Sequence, residues 1–401
     1  MRILLTNHFP FEGSATGTAT HDLAIGLLAA GHEVRVLIVD QSSEGDEPFP
    51  VRRVVCGGES SRSAAELPFD LPSFTTHSRS HLTYYGLTDE QVALYRDALR
   101  EAIDDEVGKF DPQIIHVKHL WVQSSLVLET GVPYVASAQE TNLAGYQRDP
   151  RYQIWAEQGA QNAGCVIADS AWMASEVRRV FHVDADRVAT VPSGIDLRFY
   201  QGKPDDAARI VRGMGLPPSK GPLIVFAGKL VESQGVDVLL EAAKLYESQW
   251  PGSQTVIVGD GPELDRLEAR AKSLHLARTH FLGHREREEH AALYKRADLV
   301  VIPSRTDPFE LVAIEALASG TPVLATEVGS IPELIRTEIG GLSPVGDAPA
   351  LAALVDRAIR EGWKQKKGPA AAAYAAREHG MEQWVRQIAA VYDQVLERRF
   401  G

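Results

Sequence analysis

The stretch IPSRTDPFELVAIEALASGTPVLAT, residues 302–326, carries the pattern on which the fold depends. It completes one apolar strand, Leu299–Ser304, turns at Asp307 and Pro308, and continues as a helical pattern over Glu310–Ser319. It ends in a second apolar strand, Pro322–Glu327. Strands that are apolar on both faces are typical of parallel sheets covered by helices. The stretch therefore predicts a βαβ unit whose helix packs on a buried sheet.

Short apolar runs alternate with helical patterns on both sides of this stretch. Helical periodicity is found, for example, over Ala19–Ala30, Val236–Tyr246 and Pro262–Leu274. Repeated βαβ units predict an α/β protein with parallel sheets. The other strands are predicted at Arg2–Asn7, Val34–Asp40, Gln113–Lys118, Pro133–Gln139, Cys165–Ser170, Arg187–Ser193, Pro222–Lys229, Gln254–Asp260, His280–Gly283 and Gly341–Val345.

A polar segment with several glycines and prolines, residues 201–221, interrupts the alternation and predicts a linker between two domains. The predicted N-terminal domain spans residues 1–200, and the predicted C-terminal domain spans residues 201–380. Doubly wound sheets bind their ligands at the carboxyl ends of the strands. We therefore expect two Rossmann-like doubly wound domains that face a central cleft, with the ligand in that cleft.

Composition and charge exclude several classes of partner. Lys and Arg number 41 against 54 Asp and Glu, which gives a formal net charge of −13 and argues against a nucleic-acid partner. The two cysteines, Cys56 and Cys165, do not make a disulfide framework. We recognise no leader sequence and no apolar run long enough to span a bilayer. We expect a cytoplasmic protein without integral membrane contact, and the sequence does not specify its oligomeric state.

Three acidic side chains in the quoted stretch need separate explanations. Asp307 before Pro308, with Glu310 three residues on, fits a helix N-terminus in which Asp is the N-cap and Glu completes a capping box. Glu315 lies further along the helix among aliphatic residues, where an ionised carboxylate needs a partner if it is buried. Two partners fit this carboxylate: the hydroxyls of a nucleotide ribose, or a structural hydrogen-bond donor of the protein.

Several motifs follow one another along nearly the whole chain: LAIGLLAAGHEVRVL, PQIIHVKHLW, GVPYVASAQETN, VPSGID, FAGKLVESQGVDVLLEA, IVGDGPELDRLEARAKSLHL, LYKRADLVVIPS, DPFELVAIEALASGTPVLAT and VGSIPELI. Their order and spacing resemble those of the family-4 retaining glycosyltransferases, which have the GT-B fold. The resemblance implies transfer of a sugar from a nucleoside diphosphate of the UDP or GDP type, with retention at the anomeric carbon. It implies no metal and no cofactor, because the nucleotide-sugar is a substrate. It also implies that the C-terminal helix, from about residue 381, packs back on the N-terminal domain.

The resemblance places the donor mainly on the C-terminal domain. Lys229 and the amides at the start of the 310–319 helix would hold the diphosphate, and Glu315 would hold the ribose. Asp307 and Gln139 would lie near the donor sugar, and with Lys229 they are the predicted catalytic residues. The other implied donor contacts are Gly17, Thr18, Gly228, Gln234, Gly259, Phe309, Glu310, Leu311 and Val312.

Three of these positions depart from the pattern that the family commonly shows. Gln139 stands where a His is frequent, Gln234 where a second cation faces the diphosphate, and Glu310 where Gly or Pro is common. A glutamine cannot carry charge, so the charge that develops on the leaving diphosphate would be less well neutralised. The departures leave two alternatives open: a GT-B relative with an unusual donor, or a non-catalytic nucleotide- or sugar-binding protein.

The acceptor, a small molecule or a glycan, is expected on the N-terminal domain. Gly17 and Thr18 belong to a Gly-containing loop, EGSATGTATHD, that the resemblance implies closes over the ligands. His119 and Asn142 are the acceptor-side candidates. The irregular segment 57–86 is too long for an idle loop, so we expect it to be functional or mobile and to shape the acceptor pocket.

Overall fold

The computed structural model describes residues 1–57, 66–75, 77, 79–306 and 310–400, without the side chains of residues 204, 310, 399 and 400. The chain divides into two compact units. Unit 1 comprises Met1–Gly194 together with Met381–Gly401, and unit 2 comprises Ile195–Gly380. Each unit is an α/β structure around its own parallel sheet, in agreement with the predicted fold class.

All strand pairs in both sheets are parallel. The strands of unit 1 are β1 Arg2–Thr6, β2 Glu33–Asp40, β3 Val51–Val55, β4 Ile114–Val117, β5 Tyr134–Ser137, β6 Cys165–Ala168 and β7 Val188–Thr190. Those of unit 2 are β8 Leu223–Ala227, β9 Gln254–Val258, β10 Thr279–Phe281, β11 Leu299–Ile302, β12 Val323–Thr326 and β13 Gly340–Ser343.

The strand order reverses once in each sheet. Unit 1 has the order β3-β2-β1-β4-β5-β6-β7, and unit 2 has the order β10-β9-β8-β11-β12-β13. The chain therefore winds outward in both directions from β1 and β4 in one sheet, and from β8 and β11 in the other. The carboxyl ends of these central pairs are the places where doubly wound sheets bind ligands.

Helices connect the strands of both units. They are α1 Ala15–Ala29, α2 Asp89–Phe110, α3 Val122–Glu129, α4 Glu140–Arg148, α5 Gln153–Asn162, α6 Ala171–Phe181, α7 Leu197–Tyr200, α8 Pro204–Gly213, α9 Val236–Gln249, α10 Leu264–Ser273, α11 Arg287–Arg296, α12 Glu310–Ala318, α13 Ile331–Leu334, α14 Ala348–Arg360, α15 Trp363–Glu378 and α16 Met381–Phe400. Single 3₁₀ turns lie at Tyr84–Gly86, Pro150–Tyr152, Ala185–Arg187 and Glu232–Gln234. Within the described ranges, no helix is both long enough and apolar enough to cross a bilayer.

The segment predicted as a linker contains a helix. Residues 201–221 include α8, which begins with Pro204 and carries Asp205 and Asp206 in its first turn and Arg212 in its last. Proline at the first helical position and acids in the first turn are helix-start signals, which explains why a helix forms within this polar segment. The boundary between the units falls earlier, between Gly194 and Ile195.

Helix α16 packs within unit 1, although it follows unit 2 in the sequence. Its residues Val385, Ile388 and Val395 are buried in the core that contains Ile3 and Val135. The hydroxyl of Tyr392 lies 2.7 Å from Nδ1 of the buried His116, whose Nε2 is 2.7 Å from Oγ of Ser137. His116 is therefore a core histidine whose two ring nitrogens are both hydrogen-bonded.

The described part of the irregular segment 57–86 belongs to the core of unit 1. Leu67, Phe69, Leu71, Phe74 and Tyr84 are all buried there. Residues 58–65, 76 and 78 lie outside the described residues. The apolar side chains of the described residues therefore supply part of the core, and the role of this segment in the acceptor pocket stays a prediction.

Candidate active site

The carboxyl edge of the unit 2 sheet brings together two loops that follow neighbouring strands. The loop after β8 contains Lys229 and Gln234, and the loop after β11 leads into α12. The backbone N–H of Arg305, in the second loop, donates to the carbonyl oxygen of Ser233 in the first, at 2.7 Å. The loops also meet at Gly235, where an added Cβ would lie 2.0 Å from the carbonyl oxygen of Pro303. Residues far apart in the sequence therefore share this edge.

Gly228 and Gly259 lie where the loops after β8 and β9 cross. The N–H of Gly228 donates to the carbonyl of Val258 at 3.0 Å, and that of Leu230 donates to the carbonyl of Asp260 at 2.9 Å. Gly259 has a φ of 132°, and a Cβ there would lie 1.9 Å from the carbonyl oxygen of Gly228. Backbone conformation and close packing therefore explain why glycine occupies these positions. The predicted contacts of both glycines with the donor stay predictions.

We expect Gly259→Ala to destabilise unit 2 strongly. The new Cβ meets backbone that has no freedom to rotate away, in a conformation that costs an L-residue roughly 1–3 kcal/mol. The melting temperature should fall by roughly 5 °C or more. Gly346→Ala is the matched control, because Gly346 also has a positive φ but nothing lies within 4 Å of its added Cβ. An equal loss for both variants, measured by thermal denaturation, would contradict the crossing-loop explanation.

Arg305 connects the loop after β11 to the segment after β8 through hydrogen bonds. This role was not predicted from the sequence. Its Nη1 and Nη2 donate to the two carboxylate oxygens of Asp237 at 2.8 and 2.7 Å, and Nη1 also donates to the carbonyl of Glu232 at 2.8 Å. The hydrogen bonds to Asp237 raise the pKa of Arg305. Gln234 ends the 3₁₀ turn held in this way and is half-buried, and its Oε1 accepts a long hydrogen bond of 3.4 Å from Oγ of Ser304. An acid in the first turn of a helix is too common in sequences for Asp237 to have signalled a pair with Arg305, which lies 68 residues further along the chain.

Lys229 follows β8 directly and has an exposed side chain. The surrounding protein nonetheless lowers its pKa to about 8 by desolvating the ammonium ion. The two observations are compatible, because an ammonium that touches water on one side still loses hydration on the others. At neutral pH Lys229 is therefore a cation at the carboxyl edge of the sheet.

Helix α12 carries the next group of predicted residues. Asp307 and Phe309 lie outside the described residues, and Glu310 is described only as the first residue of α12. The predicted capping box and the predicted contacts of these three side chains are accordingly not described. Leu311 is buried and Val312 half-buried.

In the part of the chain that the structure describes, no group of three or more His, Cys, Asp or Glu side chains has a geometry that would hold a metal ion.

Glu315 has a hydrogen-bond partner within the protein. The side chain is half-buried, and its Oε1 accepts a hydrogen bond of 2.6 Å from the hydroxyl of Tyr200, at the end of α7. Burial, followed by the charge of Glu315, raises the pKa of Tyr200. Of the two partners considered for Glu315, the structure therefore contains the hydrogen-bond donor of the protein itself. A carboxylate accepts up to about four hydrogen bonds, so the bond from Tyr200 is compatible with ribose hydroxyls as further donors.

In unit 1, Gln139 and Asn142 shape the start of α4 after β5. Oδ1 of Asn142 accepts hydrogen bonds from the backbone N–H of Gln139 at 3.0 Å and of Leu120 at 3.2 Å. Asn142 is completely buried, whereas Gln139 is half-buried. The expectation that Asn142 contacts an acceptor is not supported by this position, because its side chain caps a helix and ties two loops together. Gln139 keeps the accessible position that its predicted contact with the donor sugar requires.

His119, the other acceptor-side candidate, is also buried. Its ring is 1% exposed; Nδ1 accepts from Nδ2 of Asn142 at 3.2 Å, and Nε2 lies 3.3 Å from Oγ1 of Thr16. Burial, assisted by the charge of Lys118, lowers its pKa to about 3, so the imidazole is neutral at physiological pH. The rings of Phe9 and Phe74 pack against it. A packed aromatic layer of this kind leaves no signal in the local sequence pattern.

Gly17 and Thr18 were predicted to lie in a loop, but the structure places them in the first turn of α1. The hydroxyl of Ser14 accepts a hydrogen bond of 3.0 Å from the N–H of Gly17 and so caps the helix. The helix begins at Ala15, four residues before the predicted start, Ala19. A Cβ on Gly17 would lie 1.8 Å from the carbonyl oxygen of Pro10, so close packing explains this glycine. The hydroxyl of Thr18 donates to the carbonyl of Phe11 at 3.1 Å.

Two protein-family models match the chain. A glycosyl transferase 4-like domain matches residues 14–194, and the model described as glycosyl transferases group 1 matches residues 211–379. The first match lies in unit 1 and the second in unit 2.

Curated relatives are similar over nearly the whole chain. A D-inositol 3-phosphate glycosyltransferase of Salinispora tropica is 28% identical over 97% of this chain and 83% of its own length. The enzyme of the same name from Nocardia farcinica is 29% identical, over 93% of this chain and 85% of its own length.

Solved structures share the fold. Sucrose-phosphate synthase from Thermosynechococcus elongatus superimposes with a TM-score of 0.80 at 22% identity, covering 99% of both chains. The Anabaena protein HepE, crystallised in complex with UDP-glucose, has a TM-score of 0.76 at 19% identity, covering 98% of this chain and 99% of its own. The N-terminal part of the chain matches the glycosyl transferase 4-like domain, and the C-terminal part matches the glycosyl transferases group 1 domain. This chain therefore belongs to the family-4 glycosyltransferases of the GT-B fold.

Proposed function

We propose that the protein transfers a sugar from a nucleoside diphosphate sugar to a hydroxyl acceptor, with retention at the anomeric carbon and without a metal. The observation that carries the proposal is the carboxyl edge of the unit 2 sheet. There the loop after β8, with Lys229 and Gln234, contacts the loop that leads from β11 into α12. A cation, a helix N-terminus and a half-buried carboxylate suit the diphosphate and the ribose of one nucleotide.

The diphosphate is assigned to Lys229 and the backbone amides that begin α12. The amides at a helix N-terminus favour an anion because they have no partner within the helix and because the helix dipole adds positive potential. Gln234 contributes a neutral amide where a second cation is common in the family. Lys229 is then the cation that we assign to the leaving group, because the guanidinium of Arg305 is engaged with Asp237.

The ribose is assigned to Glu315. Both ribose hydroxyls are donors, and a carboxylate is the side chain that accepts two donors with the strongest hydrogen bonds. The existing bond from Tyr200 holds the carboxylate in one orientation before the ligand arrives. Gly228 and Gly259, in the loops after β8 and β9, are assigned to the base and ribose as further donor contacts.

The proposed transfer needs no nucleophilic side chain of the protein. The bond between the anomeric carbon and the donor phosphate oxygen breaks, and the acceptor oxygen forms its bond to that carbon on the same face. The leaving phosphate oxygen takes the proton of the acceptor hydroxyl. The charge that develops on the diphosphate is stabilised by Lys229 and the start of α12, which is the electrostatic contribution that this edge is built to make.

A donor screen tests the proposal. The full chain would be tested for thermal stabilisation by UDP, GDP and ADP, and then for turnover of the corresponding glucose and mannose donors. D-inositol 3-phosphate would be the first acceptor tested, because curated relatives are named for it, and simple sugar phosphates would follow as further phosphorylated acceptors. We expect stabilisation by one nucleoside diphosphate, a product with the donor's anomeric configuration by NMR, and activity that survives chelation by EDTA. Nucleotide binding without transfer to any acceptor would favour a binding protein.

The value of kcat/KM for the sugar donor should decrease at alkaline pH. The pKa of Lys229 is lowered to about 8, so the charged form predominates below pH 8 and is lost as the pH rises through that value. Because kcat/KM reports the protonation state of the free enzyme, kcat/KM for the donor should be level from about pH 6 to 7 and fall above pH 8. Lys229→Arg keeps its charge over the whole range, so its profile should not show this fall. A wild-type profile that stays level to pH 9.5 would contradict the assignment.

A further inference from the structure

Glu315 belongs to a small network in unit 2 that extends beyond the residues recognisable from motifs. Its partner Tyr200 is the last residue of α7, and α7 packs against both α11 and α12. The Tyr200 side chain is 1% exposed, so its hydroxyl has no alternative contact with bulk water. A buried phenol of this kind pays a penalty for desolvation unless its O–H finds an acceptor, and the carboxylate of Glu315 is that acceptor.

Arg287, the first residue of α11, acts on the other side of the same hydroxyl. Its Nε donates to the oxygen of Tyr200 at 3.3 Å. Its guanidinium lies over the ring of Phe199 at 4.1 Å and near the ring of Tyr200 at 5.7 Å from the centroid. The hydroxyl of Tyr200 thus accepts from a cation and donates to an anion. Such a chain strengthens each bond in it and restricts the rotation of both side chains.

Tyr294 of α11 adds a second phenol near the carboxylate. The pKa of Tyr294 is raised by its complete burial and by the nearby charge of Glu315. A hydrogen bond with Glu315 also contributes to the raised pKa of Tyr294, although the contact is looser than the 2.6 Å bond from Tyr200 to the same carboxylate. Tyr200 therefore makes the well-formed hydrogen bond to Glu315, and Tyr294 is a second buried phenol beside the carboxylate.

We propose that Tyr200, held by Arg287, is a positioning residue that orients the Glu315 carboxylate for the ribose and so sets the preference for ribonucleotides. The inference rests on the proposed function, because it requires Glu315 to bind the ribose. Tyr200 does not touch the substrate in this proposal. Its contribution is to keep one carboxylate oxygen occupied and the group in a single orientation, so that less freedom is lost when the ribose binds.

The test compares nucleotides that differ only in the ribose hydroxyls. Dissociation constants of UDP and 2′,3′-dideoxy-UDP, and of GDP and 2′,3′-dideoxy-GDP, would be measured by calorimetry for the wild-type chain and for Tyr200→Phe. The wild type should bind the ribonucleotide more tightly. In Tyr200→Phe the ratio of the two constants should fall by about threefold to tenfold, as expected for a lost hydrogen bond to a charged group. A merely structural role would weaken both nucleotides equally and leave the ratio unchanged.

Tyr246→Phe is the matched control. Tyr246 is also a buried tyrosine of unit 2, and its hydroxyl lies 2.7 Å from Oγ1 of Thr255, in a contact not shared with Glu315. This variant should keep the wild-type ratio. Arg287→Gln provides a second variant if Tyr200→Phe is poorly folded, and it too should lower the ratio, because it removes the cation that holds the phenol.

The outcomes separate the two proposals. If the wild type binds no nucleoside diphosphate, the proposed function fails and this inference fails with it. If the wild type binds ribonucleotide and dideoxynucleotide equally, the ribose contact is wrong, although a nucleotide site exists. If the wild type discriminates and both Tyr200→Phe and Arg287→Gln discriminate equally well, Glu315 binds the ribose without help from Tyr200, and the inference is overturned.

Discussion

Replacing Lys229 with methionine is expected to lower kcat/KM for the sugar donor by about 100- to 1,000-fold, the usual effect of removing one group that stabilises developing negative charge. The methionine keeps much of the length and apolar stem of lysine but removes the ammonium that faces the diphosphate. The effect should be at the upper end of this range, because Gln234 offers no second charge. Steady-state kinetics with the donor identified by the screen would measure it.

Two variants show whether the charge itself is responsible. Lys229→Arg restores a cation with different geometry and should recover part of the lost activity. Lys244→Met is the control, because Lys244 is an exposed lysine of α9 in the same unit and has no place in the proposed site. A decrease of less than threefold in Lys229→Met, with an unaltered melting temperature, would remove Lys229 from the mechanism.

Replacing Glu315 with glutamine should weaken the binding of nucleoside diphosphate by about 10- to 100-fold, the loss expected for hydrogen bonds to a charged acceptor. The amide has nearly the shape of the carboxylate, and its oxygen still accepts from the hydroxyl of Tyr200. Its nitrogen, however, presents donors to ribose hydroxyls that need acceptors. Calorimetric titration with the nucleotide measures the loss directly.

Glu247→Gln is the matched control for this change. Glu247 is also a half-buried acid on a helix of unit 2, and it accepts a hydrogen bond of 3.3 Å from Oγ1 of Thr279. Its substitution should leave nucleotide affinity unchanged. If Glu315→Gln binds the nucleotide as tightly as the wild type, the carboxylate is only a structural partner of Tyr200, and the ribose must be bound elsewhere.

Much of the architecture was predictable from local patterns. Apolar runs of strand length alternate with helical periodicity, and this alternation indicated two parallel sheets of the doubly wound type, which the structure confirms. Helices were predicted well where periodicity was strong, as over Val236–Tyr246, which lies within α9. Strand β3, Val51–Val55, was missed because two consecutive arginines interrupt its apolar character at the edge of the sheet.

Burial and partner choice at the site were less predictable. His119 looked accessible in the sequence, but packing against Phe9 and Phe74 buries it. Gly17 looked like part of a mobile loop, but the hydroxyl of Ser14 caps the helix that contains it. In both cases a contact outside the local pattern decided the outcome.

The sequence by itself determined the order of the elements and the family to which the chain belongs, because periodicity and motif spacing are local properties of the chain. Only the tertiary structure decided that Tyr200, 115 residues before Glu315, supplies the hydrogen bond that this acid needs. It likewise decided that Arg305 joins two loops through Asp237. The physical reason is that a buried charge is stabilised by whichever group the packing of distant segments brings within about 3 Å, and no local pattern specifies that group.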